Sequence, residues 1–125
     1  QETENESNDL LLIEGVGGLM VPLTASKTVL DWIKALKYPV IMVAGSYLGT
    51  ISHTLTTVET AQKFGLNVAS IVISESEHSP VPIDETANSI RRFLTNIPVL
   101  ELPRLAPSST PWQEAPELII KNSVT

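Results

Sequence analysis

Residues 40–55 read VIMVAGSYLGTISHTL and combine the pattern of a buried strand with the start of a helical one. Its first part, residues 40–44, is an unbroken apolar run that ends at Gly45. Unbroken apolar runs are typical of strands covered on both faces, as in a parallel sheet. Residues 48–64 then place apolar side chains at three- and four-residue spacings, which predicts a helix that stops at Gly65. A buried strand followed directly by a helix favours an α/β architecture.

Similar units flank this stretch on both sides. Apolar runs at residues 10–13 and 68–73 predict two further buried strands, and residues 99–101 predict a short one. Helical periodicity covers residues 28–36, and a third helix is expected to run from Asp84, as its N-cap, to about Leu94. Strands and helices therefore alternate, which predicts βαβ units with right-handed crossovers. The predicted fold class is α/β with a mostly parallel sheet.

The two ends of the chain are less regular. The first eight residues are polar and are expected to be disordered or flexible. They include no initiator Met, which suggests a chain that begins partway through a longer gene product. Prolines interrupt the segment after Leu102, and residues 114–122 predict at most a last amphipathic turn or two.

Composition narrows the class of protein. A length of 125 residues suits one domain, and 42% apolar but only 5% aromatic residues predict an aliphatic core. The formal charge of -6 argues against a nucleic-acid partner, which requires clustered Lys and Arg. The absence of cysteine excludes disulfides and thiolate metal sites and fits a cytoplasmic protein. No apolar run approaches the length of a membrane span, so no membrane association is expected.

The segment after the first predicted strand is a candidate anion site. Ligands of open parallel sheets bind at the carboxyl ends of the strands. Here Glu14 is followed by Gly15, Gly17 and Gly18, whose small size lets backbone amides approach an anion. A carboxylate beside such a loop suggests a site for Mg²⁺ and phosphate. The alternative is a tight turn with a solvated Glu14, and the loop is not a Walker A motif because no Gly-Lys-Ser/Thr follows.

Two more polar segments follow predicted strands. Residues 45–55 lead into the long helix, whose N-terminus favours carboxylates and phosphates, with Thr50, Ser52 and His53 as donors. For His53 the alternative is a capping or partly buried structural histidine, and no second His or Cys stands at metal-ligand spacing. Residues 74–80 form the other polar segment, with a solvated loop as the alternative. No motif for nucleophilic catalysis is present.

Taken together, IEGVGGLMVPL at residues 13–23 and YPVIMVAGSYLGTISHTL at residues 38–55 resemble the dethiobiotin synthetases, and the resemblance covers about residues 9–105. It implies a three-layer sandwich like that of P-loop NTPases. It also implies an enzyme: an ATP- and Mg²⁺-dependent cyclo-ligase that forms the ureido ring of dethiobiotin from 7,8-diaminononanoate and CO₂ in biotin biosynthesis.

The same resemblance implies roles for particular residues. Glu14 would ligate Mg²⁺, and residues 48–52 would reach the carboxylate tail of the diamine across the interface of a homodimer. Ser52 and Ser74 stand where the family often carries Asn. The diamine would be held by Gly15, Val16, Gly17, Gly18, Leu48, Gly49 and Ser52. The nucleotide would be held by Glu14, Gly15, Gly17, Ser74, Leu102, Pro103 and Arg104.

The resemblance also implies that part of the enzyme lies elsewhere. The family's Gly-rich loop with Lys and Thr, its catalytic lysines and its second Mg²⁺-binding Asp come before the matched region and do not occur in these residues. Residues 9–125 are thus expected to be the C-terminal part of such a domain, inactive alone, with an apolar sheet face and edge exposed where the N-terminal half docks. Two alternatives stay open: a related domain of a phosphotransacetylase or cobyrinate-type synthetase, and a non-enzymatic dimeric binding module.

Overall fold

The structure is a computed structural model that describes residues 11–15, 17–107, 110, 111, 113, 114 and 116. Within this part of the chain, helices and strands alternate as the sequence predicts. The elements are α1 (Val29–Leu36), β1 (Val40–Gly45), α2 (Thr50–Lys63), β2 (Val68–Ser74), α3 (Ile83–Phe93) and β3 (Val99–Leu102). None of these helices is long and apolar enough to span a membrane.

The strands form a parallel sheet in the order β1-β2-β3. This confirms the α/β class and the parallel sheet. The register pairs Gly45 with Ser74, and Ser74 with Leu102. All three strands therefore end level with one another, and the loops that follow them start side by side at one edge of the sheet.

Helices α2 and α3 cover one face of the sheet. Their apolar sides meet the side chains of alternate strand residues, and a β-strand presents alternate residues to the same face. The resulting core is aliphatic, as the composition predicts. Its buried members are Val58, Ile71, Ile73, Ala87, Ile90, Ile97 and Val99.

The opposite face is open at β1. Ile41 is 57% exposed and Val43 is 68% exposed, although both belong to an apolar strand. Parallel sheets are normally covered on both faces. The described part of the chain therefore has an exposed apolar sheet face, as the resemblance implies.

The strand expected at residues 10–13 is wrong for the described residues 11–13. These have no regular secondary structure, and Leu11 and Leu12 are 75% and 73% exposed. A strand needs a neighbour for its backbone N–H and C=O groups, and no described residue pairs with this segment. Leu10 lies outside the described residues.

The ends of the helices differ slightly from the predicted ones. Helix α3 begins at Ile83 after Pro82, so the expectation that Asp84 is the N-cap is wrong; Asp84 lies in the first turn, where the helix dipole favours a carboxylate. Helix α2 begins at Thr50 because Gly49 has a φ of 93°, a left-handed conformation that ends the preceding turn.

The expectations for the two ends of the chain fall largely outside the described residues. This holds for the flexible segment predicted at residues 1–8 and for most of residues 114–122. Residues 111, 113, 114 and 116 are helical.

Candidate functional site

The loop after β1 is fastened to the loop after β2. The N–H of Ser46 donates to Oγ of Ser76 at 3.1 Å, and the N–H of Ser76 donates to Oγ of Ser46 at 2.9 Å. The hydroxyl of Ser79 donates to the carbonyl of Ser46 at 2.8 Å. The Thr50 hydroxyl, at the start of α2, donates to the carbonyl of Gly45 at 2.5 Å. Side chains thus continue the connection between β1 and β2 beyond the last paired strand residues.

The loop after β2 is also tied to β3 and to the segment that follows it. The N–H of Glu75 donates to the carbonyl of Leu102 at 2.9 Å. The carboxylate of Glu75 accepts the N–H of Arg104, also at 2.9 Å. A longer, exposed ion pair joins Arg104 to Glu77 at 3.5 Å. Exposed pairs of this kind contribute little to stability. The predicted nucleotide residues Ser74, Leu102 and Arg104 therefore belong to one connected strip of backbone.

The N-terminus of α2 presents exposed side chains. Leu48 is 86% exposed, and Ser52 is exposed on the first turn of the helix. The hydroxyl of Tyr47 and Nδ1 of His53 lie 3.0 Å apart, with the two rings tilted against each other. His53 is exposed, and the N-cap of α2 is Gly49, so His53 is neither the cap nor a buried structural residue.

The glycine loop has the geometry of a tight turn. Gly17 has a φ of 77°, and a Cβ there would lie 2.9 Å from Cγ2 of Val21. A Cβ at Gly15 would come within 3.3 Å of Val29, whereas one at Gly18 would meet nothing within 4 Å. Glycine is therefore required at Gly17, favoured by packing at Gly15 and not required by space at Gly18. Val16 lies outside the described residues.

Glu14 is an isolated carboxylate in the described part of the chain. Its side chain is exposed. No group of three or more His, Asp or Glu side chains that could hold a metal ion occurs among the described residues. Mg²⁺ is commonly bound by one or two carboxylates together with phosphate oxygens and water. An exposed Glu14 is chemically suited to be one carboxylate ligand of such an ion, and the described residues offer no second carboxylate or imidazole ligand grouped with it.

The structure brings the predicted site residues into two groups. One group lies at the carboxyl edge of the sheet and consists of Leu48, Gly49, Ser52, Ser74, Leu102, Pro103 and Arg104. The other is the loop of Glu14, Gly15, Gly17 and Gly18, which precedes α1. Among the described residues no hydrogen bond joins the two groups.

The prediction from sequence missed the serines that join the strand-end loops. Ser46 is 1% exposed, which is unusual for a hydroxyl directly after a strand. Ser46 and Ser76 are 30 positions apart, so no local motif links them. The only signal in the sequence is that each follows a predicted strand by two or three residues.

These features define a class of protein. The chain is an open-sheet α/β protein whose polar loops after β1, β2 and β3 lie side by side at the carboxyl ends of parallel strands, the usual location of ligand sites in such sheets. A protein-family model described as AAA domain matches residues 2–111, and the chain belongs to that family.

Curated relatives confirm the resemblance to dethiobiotin synthetases. The chain is 51% identical over 88 residues to the ATP-dependent dethiobiotin synthetase BioD of Acidiphilium cryptum, covering 70% of this chain and 40% of that protein. The match to the protein of the same name from Methylobacterium nodulans is 51% over 82 residues, covering 66% and 36%. For a Caulobacter species it is 50% over 95 residues, covering 76% and 41%. The chain thus spans about two fifths of the length of these relatives.

Proposed function

We propose that the complete gene product containing this chain is an ATP-dependent cyclo-ligase that makes dethiobiotin. One amine of 7,8-diaminononanoate would take up CO₂ as a carbamate, ATP would phosphorylate the carbamate, and the second amine would close the ureido ring with release of phosphate. The observation that carries this proposal is the identity of about one half to relatives named ATP-dependent dethiobiotin synthetase. Chemistry of this kind depends mainly on positioning and on stabilising phosphoryl charge.

The N-terminus of α2 would hold the carboxylate tail of the diamine. No side chain caps this helix, because its N-cap is Gly49. The positive end of a helix dipole favours a carboxylate, and Ser52 offers a hydroxyl on the same turn. The exposed Leu48 beside it is suited to contact a second copy of the protein, in keeping with a homodimer in which this segment reaches the partner's substrate.

The strip formed by the ends of β2 and β3 would hold the nucleotide. It contains Ser74, Leu102, Pro103 and Arg104, and hydrogen bonds from Glu75 and Arg104 hold its backbone together. The Ser74 side chain is shorter than that of the asparagine that the family often has there. A water molecule would therefore bridge its hydroxyl and the base.

Glu14 would bind Mg²⁺ at the phosphate groups, and the glycine loop beside it would contact the diamine. Bound Mg²⁺ would neutralise charge on the phosphate oxygens, with Glu14 as one ligand. Gly15, Gly17, Gly18 and Val16 would line the diamine. The Gly-rich lysine loop of the family would come from the N-terminal half, and the whole enzyme would act in the cytoplasm.

The test is ADP release by the complete gene product with ATP, Mg²⁺ and bicarbonate, with and without 7,8-diaminononanoate. We expect release to depend on the diamine and dethiobiotin to form in equal amount. Glu14→Gln should lower kcat about 100-fold or more, because it removes a charge that acts in the transition state, with little change in the thermal midpoint. ADP release that does not depend on the diamine would instead favour a related synthetase, and no ADP release would favour a binding module.

A further inference from the structure

The contact between Ser46 and Ser76 is reciprocal. Each hydroxyl oxygen accepts the backbone N–H of the other residue, at 3.1 and 2.9 Å. Ser46 is buried and Ser76 is half-buried. Backbone N–H groups in loops are usually left to water, whereas these two are satisfied by side chains from the neighbouring loop. The pair therefore fixes how far apart the two loops stand.

The pair lies between two segments that would each contact a ligand. On one side Ser46 is followed by residues 47–52, which lead into α2 and would hold the tail of the diamine. On the other side Ser76 comes two residues after Ser74, which would read the nucleotide. Thr50 extends the connection to α2 through its bond to the carbonyl of Gly45. A shift at the pair would displace both segments, the one that reaches the diamine tail across the dimer interface and the one that contacts the nucleotide.

We propose that Ser46 and Ser76 are positioning residues. They set the distance between the loop of residues 47–52, which would hold the diamine tail, and the end of β2 at Ser74, which would contact the nucleotide. This inference rests on the proposed function. Ser46 is 1% exposed, so it acts through the loops and does not touch a ligand. With the pair intact, both loops are already placed before either ligand binds. Without it, part of the binding energy of each ligand is spent on ordering its loop.

Gly45 gives an independent way to disturb the pair. A Cβ on Gly45 would lie 2.8 Å from Oγ of Ser76 and 3.0 Å from Cδ1 of Tyr47. Gly45→Ala would therefore push Ser76 away without removing any hydrogen-bonding group. Its φ is not positive, so alanine introduces no backbone strain of its own.

The experiment is steady-state kinetics of the complete gene product, with ATP and 7,8-diaminononanoate varied in turn. We expect Ser46→Ala, Ser76→Ala and Gly45→Ala each to raise the KM of both ligands about three- to tenfold, the equivalent of one lost hydrogen bond. The change in kcat should stay within about twofold. Ser76→Thr keeps the hydroxyl oxygen, so its KM values for both ligands should stay close to those of the wild type.

Ser89→Ala is the matched control. It removes one hydroxyl that donates to the carbonyl of Glu85 within α3 at 2.8 Å, so its KM values should equal those of the wild type. Circular dichroism identifies folded variants, and if Ser46→Ala does not fold, the half-buried Ser76 carries the test. Unchanged KM values in folded Ser76→Ala and Gly45→Ala, with an active wild type, would overturn this inference alone. A wild type without diamine-dependent ADP release would overturn the proposed function and the inference with it.

Discussion

At the scale of single residues, Asp31 illustrates how one carboxylate couples a helix start to pH. Its Oδ2 accepts the backbone N–H of Thr28 at 2.9 Å and the Thr28 hydroxyl at 3.1 Å. These hydrogen bonds, first the backbone one, lower the pKa of Asp31, and Lys27 and Lys34 add a smaller effect. A lowered folded-state pKa stabilises the protein above the unfolded pKa, and this contribution is lost as pH falls through the folded pKa.

We expect Asp31→Asn to flatten the loss of stability in acid. The free energy of unfolding, measured by urea titration of the complete gene product, should fall less between neutral pH and about pH 3 for Asp31→Asn than for the wild type. Glu59→Gln is the control, because Glu59 is exposed within α2, far from the helix N-terminus, and accepts no hydrogen bond among the described residues. Equal losses in Asp31→Asn and wild type would show that the capping carboxylate does not couple to pH.

The residues of the candidate site were predictable to different degrees. The apolar runs predict where strands β1 and β2 end and so point to the polar segments after them, whereas only the family resemblance singles out Gly49, Ser52 and Ser74. The Ser46–Ser76 contact depends on the register between two strands, which pairs Gly45 with Ser74. A register is a property of two segments, and the local pattern of either segment does not contain it.

At the scale of elements, α3 and β3 are joined by a nearly buried ion pair. Nη1 of Arg91 donates to Oε1 of Glu101 at 2.8 Å, and its Nη2 donates to the carbonyl of Val99 at 2.6 Å. Glu101 is 8% exposed on the sheet face that α2 and α3 cover. The Arg91 side chain is 34% exposed, so solvent screens part of the attraction.

Arg91→Met should destabilise the protein by about 2 kcal/mol, because it leaves a buried carboxylate without a partner. The double variant Arg91→Met with Glu101→Leu should recover most of this loss. Urea unfolding of the complete gene product measures both, and Arg92→Met, an exposed neighbour on the same helix, should change the free energy of unfolding little. A loss in the double variant as large as in Arg91→Met would mean that packing, and not the unpaired charge, causes the effect.

The elements themselves were largely predictable, with one instructive failure. Residues 10–13 and 40–44 have the same unbroken apolar pattern, yet only the second forms a strand among the described residues. An unbroken apolar pattern indicates only that a segment is suited to burial. Whether it becomes a strand depends on a neighbour, and β1 has β2 beside it. The predicted start of α3 was wrong by a small margin, because a carboxylate is favoured both at the N-cap and in the first turn, where Asp84 lies.

At the scale of the whole molecule, the chain has one covered sheet face and one open one. The core lies between the sheet and helices α2 and α3, while Ile41 and Val43 point away from it and are more than half exposed. The curated relatives are about two and a half times as long as the matched segment. Both facts support the proposal that the N-terminal half of the enzyme packs on this face.

That proposal predicts a difference between two exposed valines. Val43 is 68% exposed on the open sheet face, and Val81 is 41% exposed in the loop before α3. If another part of the complete gene product covers the sheet, Val43→Thr buries a hydroxyl without a partner and should cost about 1–3 kcal/mol. Val81→Thr should cost little, because the loop stays in water. Urea unfolding of the complete gene product measures the loss of stability in both variants. Equal and negligible losses would mean that the face of β1 remains in solvent. The N-terminal half would then have to contact this chain elsewhere, at the strand edge or the glycine loop.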